Sequence, residues 1–403
     1  MAFFLLLAFL LMLYANPALL VPSLESVRPA QLAGMSAAAI LVMQNTMSRK
    51  GIRFVWPESY LLIGLTTAFA LSCLEAFWPY LAFETTLDFL KIAIIYFLIV
   101  NCVDSERRLW MTTATLVAAG VVPALGTLRN YANGHFIEGD RAAWIGTFAN
   151  PNDAAYSLVI LIPLALFLSR NVRWLFRPLV WMVLAIFIAA VFVTRSRGGL
   201  MGLFAVLLLF GLRQRGASTR ILVAAALLAG VLFATFFWTR SAGFNDLGND
   251  FTVHQRMETI RTGLKMFADH PLLGVGIGCS IVAWPLYAPI DIDFKGALVT
   301  HNTIVESLGE TGLAGFILFA LLITAAFLHA RRLSSHSSRF NRYSGYGVAL
   351  EGSLAGYVVC GFSGGYVTSW FPYIIIGLVS AATLLSERTQ PSERTGQANA
   401  LYS

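Results

Sequence analysis

With 403 residues, 57% of them apolar and only 12% charged, and a mean hydropathy of +0.71, the chain is too oily for a soluble domain, which carries about a quarter charged residues. No polar stretch approaches the roughly 100 residues of a typical domain, and Cys73, Cys102, Cys279 and Cys360 show neither zinc-site nor disulfide spacing. The net charge of +7 does not mark a nucleic-acid binder, because of where the charges fall.

Apolar runs of the roughly 20 residues needed to cross a bilayer recur at 2–21, 30–48, 58–74, 86–103, 109–127, 153–169, 178–194, 199–212, 221–238, 311–330, 345–362 and 370–386. The first lacks a basic leading region and a small-residue cleavage site, so it reads as a span rather than a signal peptide. The connectors alternate in charge. Those at 49–53, 107–108, 170–177, 213–220 and 331–342 are basic, as is the tail at 387–403 with Arg388 and Arg394. The intervening ones are poorer in charge, or acidic around Glu75 and Glu84. Lys and Arg remain on the cytoplasmic side. The chain is therefore predicted to be one all-α polytopic membrane domain over 1–403, with about twelve spans and both ends in the cytoplasm. Topology accounts for the charge without a polyanionic partner.

Two outward connectors are long, 128–152 and 239–310, and long loops in compact architectures are usually functional. Within the second, His254 to Asp269 reads as an amphipathic helix with Met257, Ile260, Leu264 and Phe267 on one stripe. Such a helix either lies in the membrane interface with Arg256 and Arg261 at phosphate level or merely caps the bundle.

Thr194-Arg195-Ser196-Arg197-Gly198-Gly199 places two arginines at the outward end of a span, against the charge trend. Small neighbours admit a ligand to the backbone, and guanidinium groups grip diphosphate oxygens in pairs. The alternative is a tight turn whose arginines reach lipid headgroups. His301 ends the large loop, followed by Asn302, Glu306 and Glu310. An imidazole titrating near neutrality can take a hydroxyl proton, and the two glutamates could orient it or meet the arginines. A histidine with a purely structural role fits the same pattern. His135, His254 and His270 are weaker candidates. Asp291-Ile292-Asp293 is too short a match to assign a metal. Lys91, inside the fourth span, has Asp88 as its expected partner.

These phrases resemble the O-antigen ligase and O-antigen polymerase superfamily of bacterial envelopes. The resemblance lies in Thr194 to Gly199, in Gln255-Arg256-Met257-Glu258 leading to His270-Pro271-Leu272-Leu273-Gly274-Val275-Gly276-Ile277-Gly278, and in His301-Asn302 followed by Glu310 to Gly315. Gly146-Thr147-Phe148-Ala149-Asn150-Pro151-Asn152 is similar to a further family phrase. The resemblance implies a GT-C-like membrane glycosyltransferase of the bacterial inner membrane. It would move a glycan from undecaprenyl diphosphate on the periplasmic face, without metal, cofactor or nucleotide sugar. His301 would be the base, with Arg197, Arg195, Arg256 and Arg261 around the diphosphate and Asn302, Glu306 and Glu310 in support. An O-antigen ligase, with lipid A-core as acceptor and membrane lipids as surroundings, is the expected member. Polymerases of O-antigen or exopolysaccharide and protein O-oligosaccharyltransferases are the near alternatives, and a lipid-linked glycan transporter is the alternative of another class.

Overall fold

The computed structural model describes residues 1–24, 26–137, 139–213, 216, 221, 224, 251–288, 299–335 and 342–389. The helices are α1 (Ala2–Ala15), α2 (Pro29–Met47), α3 (Glu58–Ser72), α4 (Pro79–Cys102), α5 (Glu106–Ala132), α6 (Pro151–Asn171) and α7 (Arg177–Val193). They continue with α8 (Arg197–Arg213), α9 (Phe251–Asp269), α10 (Ser280–Tyr287), α11 (Thr303–Ser335), α12 (Ser344–Gly361) and α13 (Trp370–Thr389). A helix lies on each predicted span except 221–238, which falls almost wholly outside the described residues, as do Asp291, Asp293, His336 and the end of the tail. Among the described residues, five helices are long and apolar enough to cross a membrane on those grounds alone: Glu106–Ala132, Pro151–Asn171, Trp174–Val193, Thr303–Ser335 and Trp370–Arg388. The chain is a multi-pass helical membrane protein.

Starts are set locally. Proline opens α2, α4 and α6, where its missing N–H is not needed. Ser105 caps α5 by accepting from Arg108 N, and Asn150 caps α6 by accepting from Asn152 N at 2.8 Å. Helix α6 is the buried centre, packed by α5, α7, α8 and α12, whereas α7 turns Leu179, Trp181 and Met182 outward. Apolar side chains on the outer surface are what hydrocarbon demands of a spanning helix.

At the end opposite the site described below, buried charges are paired across helices. Glu58, wholly buried at the start of α3, meets His329 Nδ1 of α11 at 2.6 Å. Arg213 of α8 pairs with buried Glu351 of α12, which also accepts from Ser334 Oγ at 3.2 Å. An unpartnered carboxylate in this interior would be costly, so these contacts fix how α11 and α12 pack.

Candidate functional site

The site is built around a break in α11. Gly312 adopts φ 59° and ψ −161° inside the helix, a conformation essentially restricted to glycine. The break leaves the carbonyls of Gly309 and Glu310 without helical partners, and the glycine-rich loop after α9 supplies them. Val275 N donates to Gly309 O at 2.9 Å and Gly276 N to Glu310 O at 3.0 Å. In return Leu313 N reaches Pro271 O at 2.8 Å. The approach is backbone to backbone: a Cβ on Gly312 would fall 2.4 Å from Leu272 C, and one on Gly274 2.3 Å from Glu310 C. The Glu310 carboxylate closes the same loop, accepting from Gly278 N at 2.8 Å and Ser280 N at 3.3 Å.

Helix α9 lies across this framework with its polarity reversed relative to a soluble helix. Its buried residues are Glu258, Thr259, Thr262, Gly263 and Met266, while Met257 and Leu264 are 48% and 45% exposed. Gly263 permits the contact, since a Cβ there would meet Val305 Cγ1 at 2.4 Å and Thr300 Cγ2 at 3.0 Å. Of the expected stripe of Met257, Ile260, Leu264 and Phe267, the first and third thus face away from the protein while Ile260 and Phe267 are half-buried. Arg256 and Arg261 diverge. Arg256 shares the inward face and donates from Nη1 to Ser363 Oγ at 2.5 Å. Arg261, 64% exposed, pairs with Glu258.

Ser363 begins the loop 362–369 that joins α12 to α13, and this loop gathers the remaining groups. Asn302 caps α11 by accepting from Ile304 N and Val305 N at 3.0 and 3.1 Å. Its amide reaches Phe362 O at 3.4 Å. Thr303 Oγ1 donates to Gly364 O at 2.8 Å and accepts from Tyr366 N at 3.1 Å. The Glu306 carboxylate accepts from Val367 N at 3.1 Å. Half-buried His301 therefore sits one residue from the amide that ties α11 to Phe362, the residue before the serine that holds Arg256. Tyr366 stacks on Tyr156 of α6 with ring centroids 3.9 Å apart. Burial pushes the Tyr366 phenol well above its ordinary pKa, Asp153 adds to the rise, and Arg256 offsets part of it.

From the other side comes the start of α8. Ser196 caps it, its hydroxyl accepting from Gly199 N at 3.2 Å and donating to Asn152 Oδ1 at 2.8 Å. Buried Arg141, in the connector before α6, donates Nη2 to the same Asn152 oxygen at 2.8 Å and Nε to Thr194 O at 3.3 Å. This clamp sets the turn in which Arg195 takes a left-handed φ of 51° and lies 3.3 Å from Asp140 Oδ2. Arg197 is the first residue of α8. Gly198 presses on Ser363 so closely that a Cβ would fall 2.4 Å from Ser363 Cβ. A cation at a helix N-terminus, where the macrodipole is positive, is poorly placed unless an anion joins it.

The structure thus brings Arg256 and Asn302 to the Phe362–Ser363 step, against which Gly198 also packs, with Arg197 and His301 next in sequence to these contacts. It keeps Arg195 on Asp140 and turns Arg261 outward. Backbone N–H groups of Val367, Gly278 and Ser280 donate to the carboxylates of Glu306 and Glu310, so both glutamates hold loops. Sequence reasoning missed Arg141 and Ser363; Asn152 was inside a quoted phrase, but its contacts were not foreseen. Chemically, a guanidinium group near a helix N-terminus can hold an anion with several oxygens, and an imidazole can accept a proton.

Fold and site together define a multi-pass membrane protein with an anion-competent, histidine-bearing centre where several helices end. Residues 182–320 match the family described as O-Antigen ligase, whose members are glycosyltransferase-like enzymes of polysaccharide biosynthesis. The matched stretch contains Arg195, Arg197, Arg256, Arg261 and His301 but neither Arg141 nor Ser363. A curated relative, the Exopolysaccharide production protein ExoQ of Rhizobium meliloti (strain 1021), is 27% identical over 300 residues, covering 69% of this chain and 67% of that protein. A solved chain from "Structural coordination of polymerization and crosslinking by a peptidoglycan synthase complex" overlaps 84% of this chain and all of its own at 16% identity. Its TM-score of 0.45 is too low to carry weight.

Proposed function

We propose that the protein is an inverting glycosyltransferase that moves a glycan from undecaprenyl diphosphate to lipid A-core on the periplasmic face of the inner membrane. The observation that carries this reading is Ser363, which holds Arg256 and abuts Gly198 beside Arg197 while its neighbour Phe362 takes the Asn302 amide next to His301. Arg197 and Arg256 grip the diphosphate. As the bond between sugar and phosphate breaks, they stabilise the charge gathering on the departing oxygen. His301 takes the proton from the acceptor hydroxyl, whose oxygen attacks the anomeric carbon from the face opposite the diphosphate. The bond energy arrives with the donor, so no nucleotide is needed outside the cytoplasm.

A second reading, polymerisation, is favoured by the relative named for exopolysaccharide production; the acceptor is then another lipid-linked repeat. The deciding experiment offers purified protein an undecaprenyl-diphosphate glycan with either lipid A-core or a second lipid-linked repeat. Extension of lipid A-core supports the ligase, and extension of the repeat alone supports the polymerase. Glycolipid moved across a vesicle membrane with its linkage intact would remove both.

A further inference from the structure

A cavity of about 710 Å³ lies between α1, α2 and α4, outside the family match. Its wall is stratified. Helices α2 and α4 both begin at the end that carries the site, and their lining residues descend in step. Arg28, Gln31, Thr85 and Asp88 come first, then Met35 and Ala38 face the cavity together with Ile92 and Ile95. At 1.5 Å per residue, Ala38 lies about 15 Å below Arg28. Polar groups therefore occupy the upper part and apolar ones the lower. Lys91 and Asp88 are bonded at 2.6 Å, yet their side chains are 53% and 72% exposed. In a helix that the sequence reads as the fourth span, an ion pair left so open is costly and points to a functional path.

The rim is made of the loops that build the site. A Cβ on Gly146 would fall 2.9 Å from Asn16 Nδ2, and one on Gly278 2.6 Å from Thr85 Oγ1, so both lining residues touch site loops. Thr147 and Thr368 complete the rim. Thr368 stands at one end of loop 362–369, and Ser363, which holds Arg256, at the other. Displacement in line at a sugar carbon places the entering hydroxyl opposite the departing diphosphate, and catalysis depends on holding that alignment. The two ends of this loop offer those two sides.

We propose that this cavity is the acceptor site and that it takes an anionic, lipid-anchored glycan. Arg28 and Lys91 outweigh Asp88 and favour a phosphate-bearing headgroup, while Met35, Ala38, Ile92 and Ile95 receive the hydrocarbon chain. The sugar then reaches the site past Thr147 and Thr368. This assignment rests on the glycan-transfer reading. In the step it serves, the acceptor O–H proton passes to His301, the new bond from oxygen to the anomeric carbon forms, and the electron pair of the breaking bond leaves on the diphosphate.

The test is native mass spectrometry of the full chain in detergent micelles, with lipid A-core as the probe and an uncharged glucosyl diacylglycerol as comparison. Lipid A-core should bind to the wild type. Arg28→Gln and the paired change Asp88→Asn with Lys91→Gln should each weaken it about tenfold, the scale of one lost charge-assisted contact, whereas Arg28→Lys should retain binding. Undecaprenyl diphosphate, held at Arg197 and Arg256, should bind all variants within about twofold of the wild type, which also reports that they are folded. No lipid A-core binding, unchanged binding in the variants, or preference for the uncharged glycolipid overturns the proposal. Intact binding with loss in the variants, but no glycan transfer by the wild type, supports the cavity assignment and sinks the proposed function alone.

Discussion

Gly198 and Ser363 allow packing and chemistry to be separated at one contact. In Gly198→Ala, the added methyl falls 2.4 Å from Ser363 Cβ and 2.7 Å from its Oγ, well inside any tolerated separation. Overpacking of this kind costs about 1–3 kcal/mol. It also drives Ser363 away from Arg256 Nη1, its partner at 2.5 Å. A hydrogen bond to a charged group contributes about 1.5–3 kcal/mol, equivalent to roughly ten- to hundredfold in rate if it is needed to place the guanidinium. Ser363→Ala keeps the Cβ and loses only the hydroxyl, so it should lose at most about 1.5–3 kcal/mol of stability and transfer glycan roughly ten- to hundredfold more slowly. The double variant Gly198→Ala with Ser363→Gly should recover the overpacking share of the lost stability and none of the lost activity. The assays are thermal unfolding in detergent and transfer from undecaprenyl-diphosphate glycan. Unchanged stability in Gly198→Ala would refute the close packing, and wild-type transfer by Ser363→Ala would refute the role given to the hydroxyl.

Replacing His301 by Ala should slow transfer by about 10²–10⁴-fold, the usual contribution of a general base, with donor binding and unfolding temperature preserved; full activity would remove the assignment. Arg261→Gln should change neither transfer nor stability by more than about 1 kcal/mol, because an exposed ion pair contributes little, whereas Arg256→Lys should raise the donor KM, since lysine lacks the planar fork. Arg141→Ala leaves Asn152 Oδ1 and Thr194 O each short of a donor and should lower stability by about 1–3 kcal/mol, read by the same unfolding assay. Gly312→Ala meets backbone atoms of Leu272 that cannot yield and should cost at least about 1–3 kcal/mol from backbone strain alone; a wild-type unfolding temperature would show that the break in α11 is not needed.

Much of the helical layout could be read from the chain because a span is a local signal: some twenty apolar residues suffice to announce one. Arg197, Arg256 and His301 were visible for a similar reason, each standing in a short phrase of small or polar neighbours. What the residues could not disclose was direction. Glu306 and Glu310 follow His301 at helical spacing and invited a role beside the imidazole. The break at Gly312 instead brings the glycine loop to Glu310, and the loop after α12 brings Val367 to Glu306. Arg256 and Arg261 flank the expected stripe on opposite sides, and burial of the threonine face of α9 sends one inward and the other out. Ser363 meets Arg256 across 107 residues of sequence and Arg141 meets Thr194 across 53. No periodicity or motif encodes pairings of that range.

Helix α9 also says something about what the protein is made of. Among the described residues Met257 and Leu264 of its oily side stand open while its hydroxyl-bearing side packs toward α11, and lipid is the neighbour that such an open apolar face calls for. The bearing of Arg256 is then set partly by the surrounding amphiphile. Exchanging one detergent or headgroup for another alters a wall of the site without touching a single residue.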